Sequence, residues 1–349
     1  MKILYTGVRR EGYDSRRRGM SFEYQNFYRT LEGMAGVQVV EFLFDEIVVL
    51  GKKVFREKFL EAVSREQPDA VFIFMYTDEL DADTLDRVRK EFEIPLIMWF
   101  ADDYWRFWNY SRYFAPHATL AVTTSIQAFR WYKKAGINNV ILSQWACNTR
   151  DFYPPADDVP KDISISFIGR RKPPRVRTIQ KIREAAVEVE AFGVGWPAGR
   201  LSRDELLSIS ARSEINLNIA DRPSLFSPRV LGRIFLRKSA NRIVPDFHIV
   251  QNIQAWWHFR LPHIHARPFE LAGCGAFVIS SYVEGMENYY IPDREMVFYR
   301  GAEELIQKVR YYLGHDDERR RIAKAGYERT IKDHTYEKRF REIFSIIFK

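Results

Sequence analysis

Ala266-Arg-Pro-Phe-Glu-Leu-Ala-Gly-Cys-Gly-Ala-Phe-Val-Ile-Ser-Ser281 reads as a short helix, a glycine turn and a buried strand. Pro268 suits a first helical turn, where a missing N–H costs nothing. Phe269, Leu271 and Ala272 supply packing, Gly273-Cys-Gly275 ends the helix, and Ala276-Phe-Val-Ile279 is an apolar run of strand length. Arg267 and Glu270 stand three apart and so share one face of the first turn. A helix start attracts anions, and an arginine fork there can grip one. A glutamate one turn in can accept hydrogen bonds from sugar or ribose hydroxyls. The competing reading is a plain surface pair between the two charges, an arrangement that contributes little.

Further motifs follow in order: Tyr299-Arg-Gly-Ala-Glu-Glu-Leu305, Tyr311-Tyr-Leu313, Arg321-Ile-Ala-Lys-Ala-Gly326 and His334-Thr-Tyr-Glu-Lys-Arg339. Together with Arg-x-Phe-Glu-x-x-Gly-x-Gly at 267–275, they make the last quarter of the chain resemble GT-B glycosyltransferases of the group 1, CgeB-like kind. The resemblance implies an α/β, GT-B fold of two Rossmann-like, doubly wound domains facing a cleft. Residues 1–149 would form the acceptor-side domain and 150–330 the donor-side domain, with 331–349 a helix returning to the first. The implied reaction moves a sugar, of hexose type, from a UDP- or GDP-sugar to a hydroxyl on a glycan, lipid-linked or protein acceptor. Cell-envelope polysaccharide synthesis is the setting it suggests, with no metal and no cofactor beyond the nucleotide sugar. Donor binding falls to Arg267 and Glu270, and to the loop Gly169, Arg170, Arg171 and Lys172. Retaining members often carry a Glu eight positions before the second one; here that position is Pro262, which leaves the stereochemical outcome open. An epimerase of the same fold, or a non-catalytic nucleotide- or glycan-binding protein of envelope or spore, stay as alternatives.

Alternation of strand and helix signals supports this outline independently. Lys2–Thr6, Val37–Phe42, Asp69–Met75, Pro95–Phe100, Leu120–Thr123 and Val140–Ser143 read as strands separated by helical segments, the pattern of a parallel doubly wound sheet. Ligands in such sheets bind beyond the carboxyl ends of the strands. That rule points to Gly7–Gly19, which holds the basic loop Arg9–Arg18, to Tyr76–Glu79 and to Ala101–Trp105. Asn148–Lys161, dense in proline and aspartate, reads as a linker, after which a second β-α series begins at Ile163.

The 349 residues suffice for two domains, and 46% hydrophobic with 29% charged residues is ordinary for a globular chain. Two cysteines, Cys147 and Cys274, make neither a disulfide framework nor a zinc motif. No apolar run reaches the ~20 residues of a membrane span, so a cytoplasmic protein is expected, peripheral contact with the membrane aside. The net charge of +8 is concentrated. Residues 9–18 carry five arginines against Glu11 and Asp14, and residues 221–260 carry six arginines and a lysine against Asp221 and Asp246. Those two segments account for the whole excess and imply anionic partners. Residues 221–260 also hold Trp256, Trp257, Phe235 and Phe259 and are read as an insertion in the donor-side domain. They suit an anionic membrane surface, an acceptor platform or a homodimer contact; no nucleic-acid motif accompanies them.

Candidate chemistry in the first domain rests on Asp102 and Asp103, adjacent carboxylates at a strand's carboxyl end, as general base or as helix caps. Arg9, Arg10, Tyr13 and Tyr104 are candidates for acceptor or phosphate binding. His265, in the run His258, His263, His265, could reach the donor sugar. Asp81-Ala-Asp83 has a metal-binding spacing but also reads as a helix start.

Overall fold

Residues 1–13, 19–157, 159–220 and 224–348 are described by a computed structural model. In chain order its strands are β1 (Lys2–Thr6), β2 (Gln38–Glu41), β3 (Ala70–Ile73), β4 (Leu96–Phe100), β5 (Leu120–Thr123), β6 (Val140–Leu142), β7 (Ile163–Ile168), β8 (Glu190–Phe192) and β9 (Ser213–Asn218). A hairpin, β10 (Leu236–Ser239) and β11 (Arg242–Pro245), is followed by β12 (Val278–Ser281) and β13 (Val297–Tyr299). The chain divides into two compact units: Met1–Gln144 with Ser224–Leu261 and Phe340–Lys349, and Trp145–Pro223 with Pro262–Arg339.

The first unit is built on a six-stranded sheet in the order β2-β1-β3-β4-β5-β6, parallel throughout. Its central strands β3 and β4 are buried at every residue, which is why they read as unbroken apolar runs. Helices Lys52–Glu66, Ala82–Lys90 and Ile126–Lys134 contribute Phe55, Phe59, Leu85, Val88 and Tyr132 to its core. Asp81 starts the second of these: its carboxylate accepts from the Thr84 N–H at 3.0 Å and pairs with Arg56, so the Asp81–Asp83 spacing serves a helix cap. From the helix Tyr336–Ile347, Phe340 is wholly buried edge-on against Phe27 at 5.6 Å and Phe72 at 5.4 Å.

Residues 224–261 pack within this first unit, whereas the sequence reading attached 221–260 to the donor side; 221–223 lie outside the described residues. Two four-residue strands and the helix Ile249–His258 bury too little among themselves to stand alone. They borrow a core. Ala240, at the hairpin turn, is buried and donates its N–H to Thr77 Oγ1 at 2.9 Å. Asp78 holds Lys52 and Arg237, each at 2.6 Å. Asn109 donates to Asn252 Oδ1 at 2.8 Å, and His258 stacks on Trp108 at 5.2 Å.

The second unit has a five-stranded parallel sheet in the order β13-β12-β9-β7-β8. Helix Arg203–Arg212 opens with a capping box in which Ser202 and Glu205 exchange hydrogen bonds. Helix Asp316–Asp333 carries Gly326 at its closest approach to the turn before β13: a Cβ there would overlap the Glu295 carbonyl oxygen. Both cysteines are buried and unbridged.

Candidate donor and acceptor sites

In the second unit the residues around Arg267–Gly273 come together as a cationic cluster. Glu270 is only 5% exposed, so the plain surface pair is not what forms. Arg267 Nη1 lies 2.9 Å from Glu270 Oε2, yet that nitrogen is buried without a well-directed hydrogen bond. Burial raises the Glu270 carboxyl above its usual range, with Asp151 adding and Arg267 opposing. Asp151 is itself paired with Arg203 at 2.8 Å. His265 Nε2 is also buried and has no partner among the described residues. Burial, then His263, Arg175, Lys172 and Arg267, hold the His265 imidazole well below its ordinary value, so it is neutral at pH 7. His263 and His265 meet edge to face at 4.1 Å.

The loop after β7 supplies the other wall, though with different members than the sequence suggests. Gly169 is used internally: its N–H donates to Phe192 O at 2.9 Å and its carbonyl accepts from Trp196 Nε1 at 2.9 Å. A Cβ on it would meet the Phe167 ring at 2.8 Å. The glycine therefore answers a packing need. Arg170 and Arg171 are exposed, the latter lying over the Trp196 ring at 5.7 Å. Lys172 and Arg175 are the cations whose charge bears on His265. Arg175, which the sequence reading passed over, is aimed by Ile219 O at 3.3 Å and Arg170 O at 3.1 Å. Its signal was present as the last cation of the same loop, one turn into the helix Pro173–Glu184.

The first unit separates its predicted pair. Asp103 is fully buried and accepts from the Tyr132 hydroxyl at 2.9 Å. Burial pushes its carboxyl up to about 6, with the neighbouring hydroxyls of Ser111, Thr123 and Tyr132 opposing. It braces the chain after β4 from inside, enclosed away from solvent. Asp102 is exposed, in left-handed conformation with φ 58°. Tyr104 is buried beside it. Arg9 is committed to Glu41 and lies over the Tyr24 ring at 5.1 Å. Arg10 is fixed through its N–H to Asp45 Oδ1 at 2.9 Å. The Tyr13 hydroxyl donates to buried Glu79. Residues 14–18 of the basic loop lie outside the described residues.

Glu23 is the group that sequence reasoning missed. It is 8% exposed, accepts from the Tyr76 hydroxyl, and its carboxyl is pushed up to about 8 by burial, with Asp102 and Glu11 adding. An acid set among Phe22, Tyr24, Phe27 and Tyr28 was the available signal. Its folded pKa stands above the unfolded one, so its contribution is complete below about pH 4.5 and is lost as pH rises toward 8. Chemical denaturation at pH 5.5 and 8.5 should show wild type losing about 1.4 kcal/mol per unit across that window from this group. Glu23→Gln should lack that component; equal slopes for the two proteins would remove Glu23 as the source.

A family model described as Glycosyl transferase-like matches residues 236–345. The spore protein CgeB of Bacillus subtilis (strain 168) is 21% identical over 271 residues, covering 78% of this chain and 80% of that one. Among solved structures, sucrose-phosphate synthase from Thermosynechococcus elongatus superposes with a TM-score of 0.60 at 14% identity, covering 99% of this chain and 100% of that chain. Anabaena Alr3699/HepE in complex with UDP-glucose superposes at 0.57 and 12%, covering 99% of both. The chain has the GT-B fold of two Rossmann-like domains and is similar to group 1, CgeB-like glycosyltransferases.

Proposed function

We propose that the protein transfers a sugar from a nucleotide diphosphate sugar to a hydroxyl acceptor. The observation that carries this reading is the pair of Arg267 and buried Glu270 in the second unit, beside a neutral His265 on which the charges of Lys172, Arg175 and Arg267 converge. The cations would neutralise the diphosphate as it leaves, and Glu270 would accept from ribose or sugar hydroxyls. Arg170 and Arg171 remain outer contributors. No metal is needed for this charge balance. In the first unit exposed Asp102, with Glu23 nearby, is the candidate for taking the acceptor proton, and Tyr104 helps shape its surroundings. Similarity to Anabaena Alr3699/HepE, solved in complex with UDP-glucose, supports the donor class.

A thermal-shift panel of UDP-, GDP-, dTDP- and CMP-sugars, followed by transfer and hydrolysis assays, tests the proposal. One nucleotide series should stabilise the protein, with turnover unaffected by EDTA. Stabilisation by none of them sinks the donor site. Turnover lost to EDTA and restored by manganese sinks the metal-free part. Conversion of donor without acceptor would indicate the epimerase, and binding without turnover the non-catalytic reading.

Peripheral contact with an anionic membrane belongs to the same proposal. Helix Ile249–His258 turns Val250 (67% exposed), Ile253 and Trp257 outward at helical spacing, next to Phe247 (87% exposed). Arg229, Lys238, Arg242 and Arg260 are exposed in the same segment, Arg260 lying 3.7 Å over the Trp257 ring. No described helix is long and apolar enough to cross a membrane, so the contact would be interfacial. The protein should float with phosphatidylglycerol vesicles at low salt and not with phosphatidylcholine ones. Phe247→Ser/Trp257→Ser should stay at the bottom of the gradient. Failure of wild type to float refutes the membrane contact, and a dimer lost in the same variant would reassign the patch.

A further inference from the structure

Residues 224–261 clasp both loops on which the candidate acceptor chemistry stands, all within the first unit. One is the loop after β3. The β10–β11 turn donates the Ala240 N–H to Thr77 Oγ1 at 2.9 Å, and Arg237 reaches Asp78 at 2.6 Å. Tyr76, the residue before these two, donates its hydroxyl to Glu23. The other is the short helix Asp103–Arg106, which Asp102 precedes. Phe259 meets the Trp105 ring edge to face at 5.3 Å, His258 stacks on Trp108, and Asn252 accepts from Asn109 at 2.8 Å.

Helix Ile249–His258 has two faces at the 3.6-residue period. Asn252, Ala255 and, just past its end, Phe259 turn one way, onto the chain at 105–109. Val250, Ile253 and Trp257 fall on the opposite side and are exposed. Phe226, Phe235, Ile243 and Phe247 are exposed in the same segment. So much uncovered apolar surface in one segment marks a contact. Charge names the occupant. Residues 224–261 carry five arginines and a lysine against Asp246, which is buried and held by His248. A second copy presenting the same surface would set like charge against like. An anionic lipid surface answers the cations and the apolar side chains together.

The chemistry lies close behind that surface. Asp102 starts the helix packed directly under Ile249–His258, so it stands one helix layer back, on the order of 10 Å. Asp102 also bears on the charge of Arg233, and the exposed side chains Leu231 and Phe235 stand two residues to either side of that arginine. An interfacial helix sinks its apolar face by about 5–10 Å, which brings Asp102 to the level of the headgroups.

We propose that the acceptor loops open at the membrane surface and that the acceptor is a lipid whose headgroup carries the reacting hydroxyl. This rests on the transfer reading for the word acceptor and on the membrane contact for the surface; what it adds is the substrate class. A long glycan or a protein free in solution would have to enter between the bound segment and the lipid. A headgroup is already there.

Position relative to the membrane is read without turnover. A nitroxide is attached to Asp102→Cys and, for reference, to Lys134→Cys at the far end of helix Ile126–Lys134. Cys147 and Cys274 are buried and stay unlabelled in the folded protein. Collision with a neutral, water-soluble nickel chelate is followed by electron paramagnetic resonance, free and on phosphatidylglycerol vesicles. Collisions at 102 should fall severalfold on the vesicles while those at 134 hold. Adding Phe247→Ser/Trp257→Ser should abolish the fall. Circular dichroism checks folding; if Asp102→Cys does not fold, Glu11→Cys, from a carboxylate that also bears on Glu23, takes its place. A protein that binds vesicles with 102 as open as in solution overturns the proposal and leaves the membrane contact standing. Wild type that does not float removes both. Shielding that appears without lipid and grows with protein concentration makes a second copy the occupant and also overturns it. An empty nucleotide panel counts against the donor site alone.

Discussion

Replacing Glu270 by alanine is expected to abolish stabilisation by the nucleotide sugar and to lower turnover about 100-fold, the size of a lost charge-assisted hydrogen bond or two. The fold should be little changed. Glu270 is the fourth residue of the seven-residue helix Arg267–Gly273, among Phe269, Leu271 and Ala272, which carry the packing. Its carboxyl is buried, and among the described residues Arg267 is the opposite charge paired with it. Glu270→Gln keeps the shape and one acceptor oxygen and should retain part of the affinity. Arg267→Ala should weaken diphosphate more than it weakens a nucleoside, because its charge answers phosphate. Measuring Kd for the nucleotide sugar, the free nucleoside diphosphate and the nucleoside in all three variants separates these roles. If Glu270→Ala binds the nucleotide sugar as wild type does, the cluster is not the donor site.

Gly326→Ala should destabilise the protein by about 1–3 kcal/mol, since overpacking against backbone cannot relax as a side chain does. Helix propensity alone points the other way: alanine in place of glycine inside the helix Asp316–Asp333 would stabilise by about 1 kcal/mol. The new Cβ would overlap the Glu295 carbonyl oxygen, and Gly326 is buried. Its own carbonyl accepts from the Thr330 hydroxyl at 2.7 Å, and Thr330 meets the Tyr290 hydroxyl at 2.8 Å, so a displaced helix would strain both contacts. Urea denaturation of the two proteins decides the sign. An unchanged or higher midpoint would show that the helix can move off the turn before β13.

The parallel sheets were legible because strands buried on both faces must be written as apolar runs, as in β3 and β4. The Arg267–Glu270 face was legible from spacing three on a helix. What spacing does not carry is direction in three dimensions. Asp102 and Asp103 look alike in the sequence; the left-handed turn at Asp102 sends one outward and the next into the core against Tyr132. Gly169 stands in a basic loop in the sequence; that the Phe167 ring closes on it is a packing fact the loop does not announce. Residues 224–261 show only aromatic and basic character locally. Their place is set by distant partners, Thr77, Asp78 and Asn109, that no local pattern announces.

The division of the chain also has a consequence during synthesis. The first unit takes its middle piece from 224–261 and its last piece from Phe340 onward, after the whole second unit has been made. Phe340, wholly buried against Phe27 and Phe72, leaves the ribosome only after every residue of the second unit. Until it emerges, the aromatic cavity it fills stays open on a nascent chain, while the second unit lacks nothing after Arg339. The later-made half can therefore reach its finished state first, and a ribosome-bound intermediate would present the unfinished first half to chaperones.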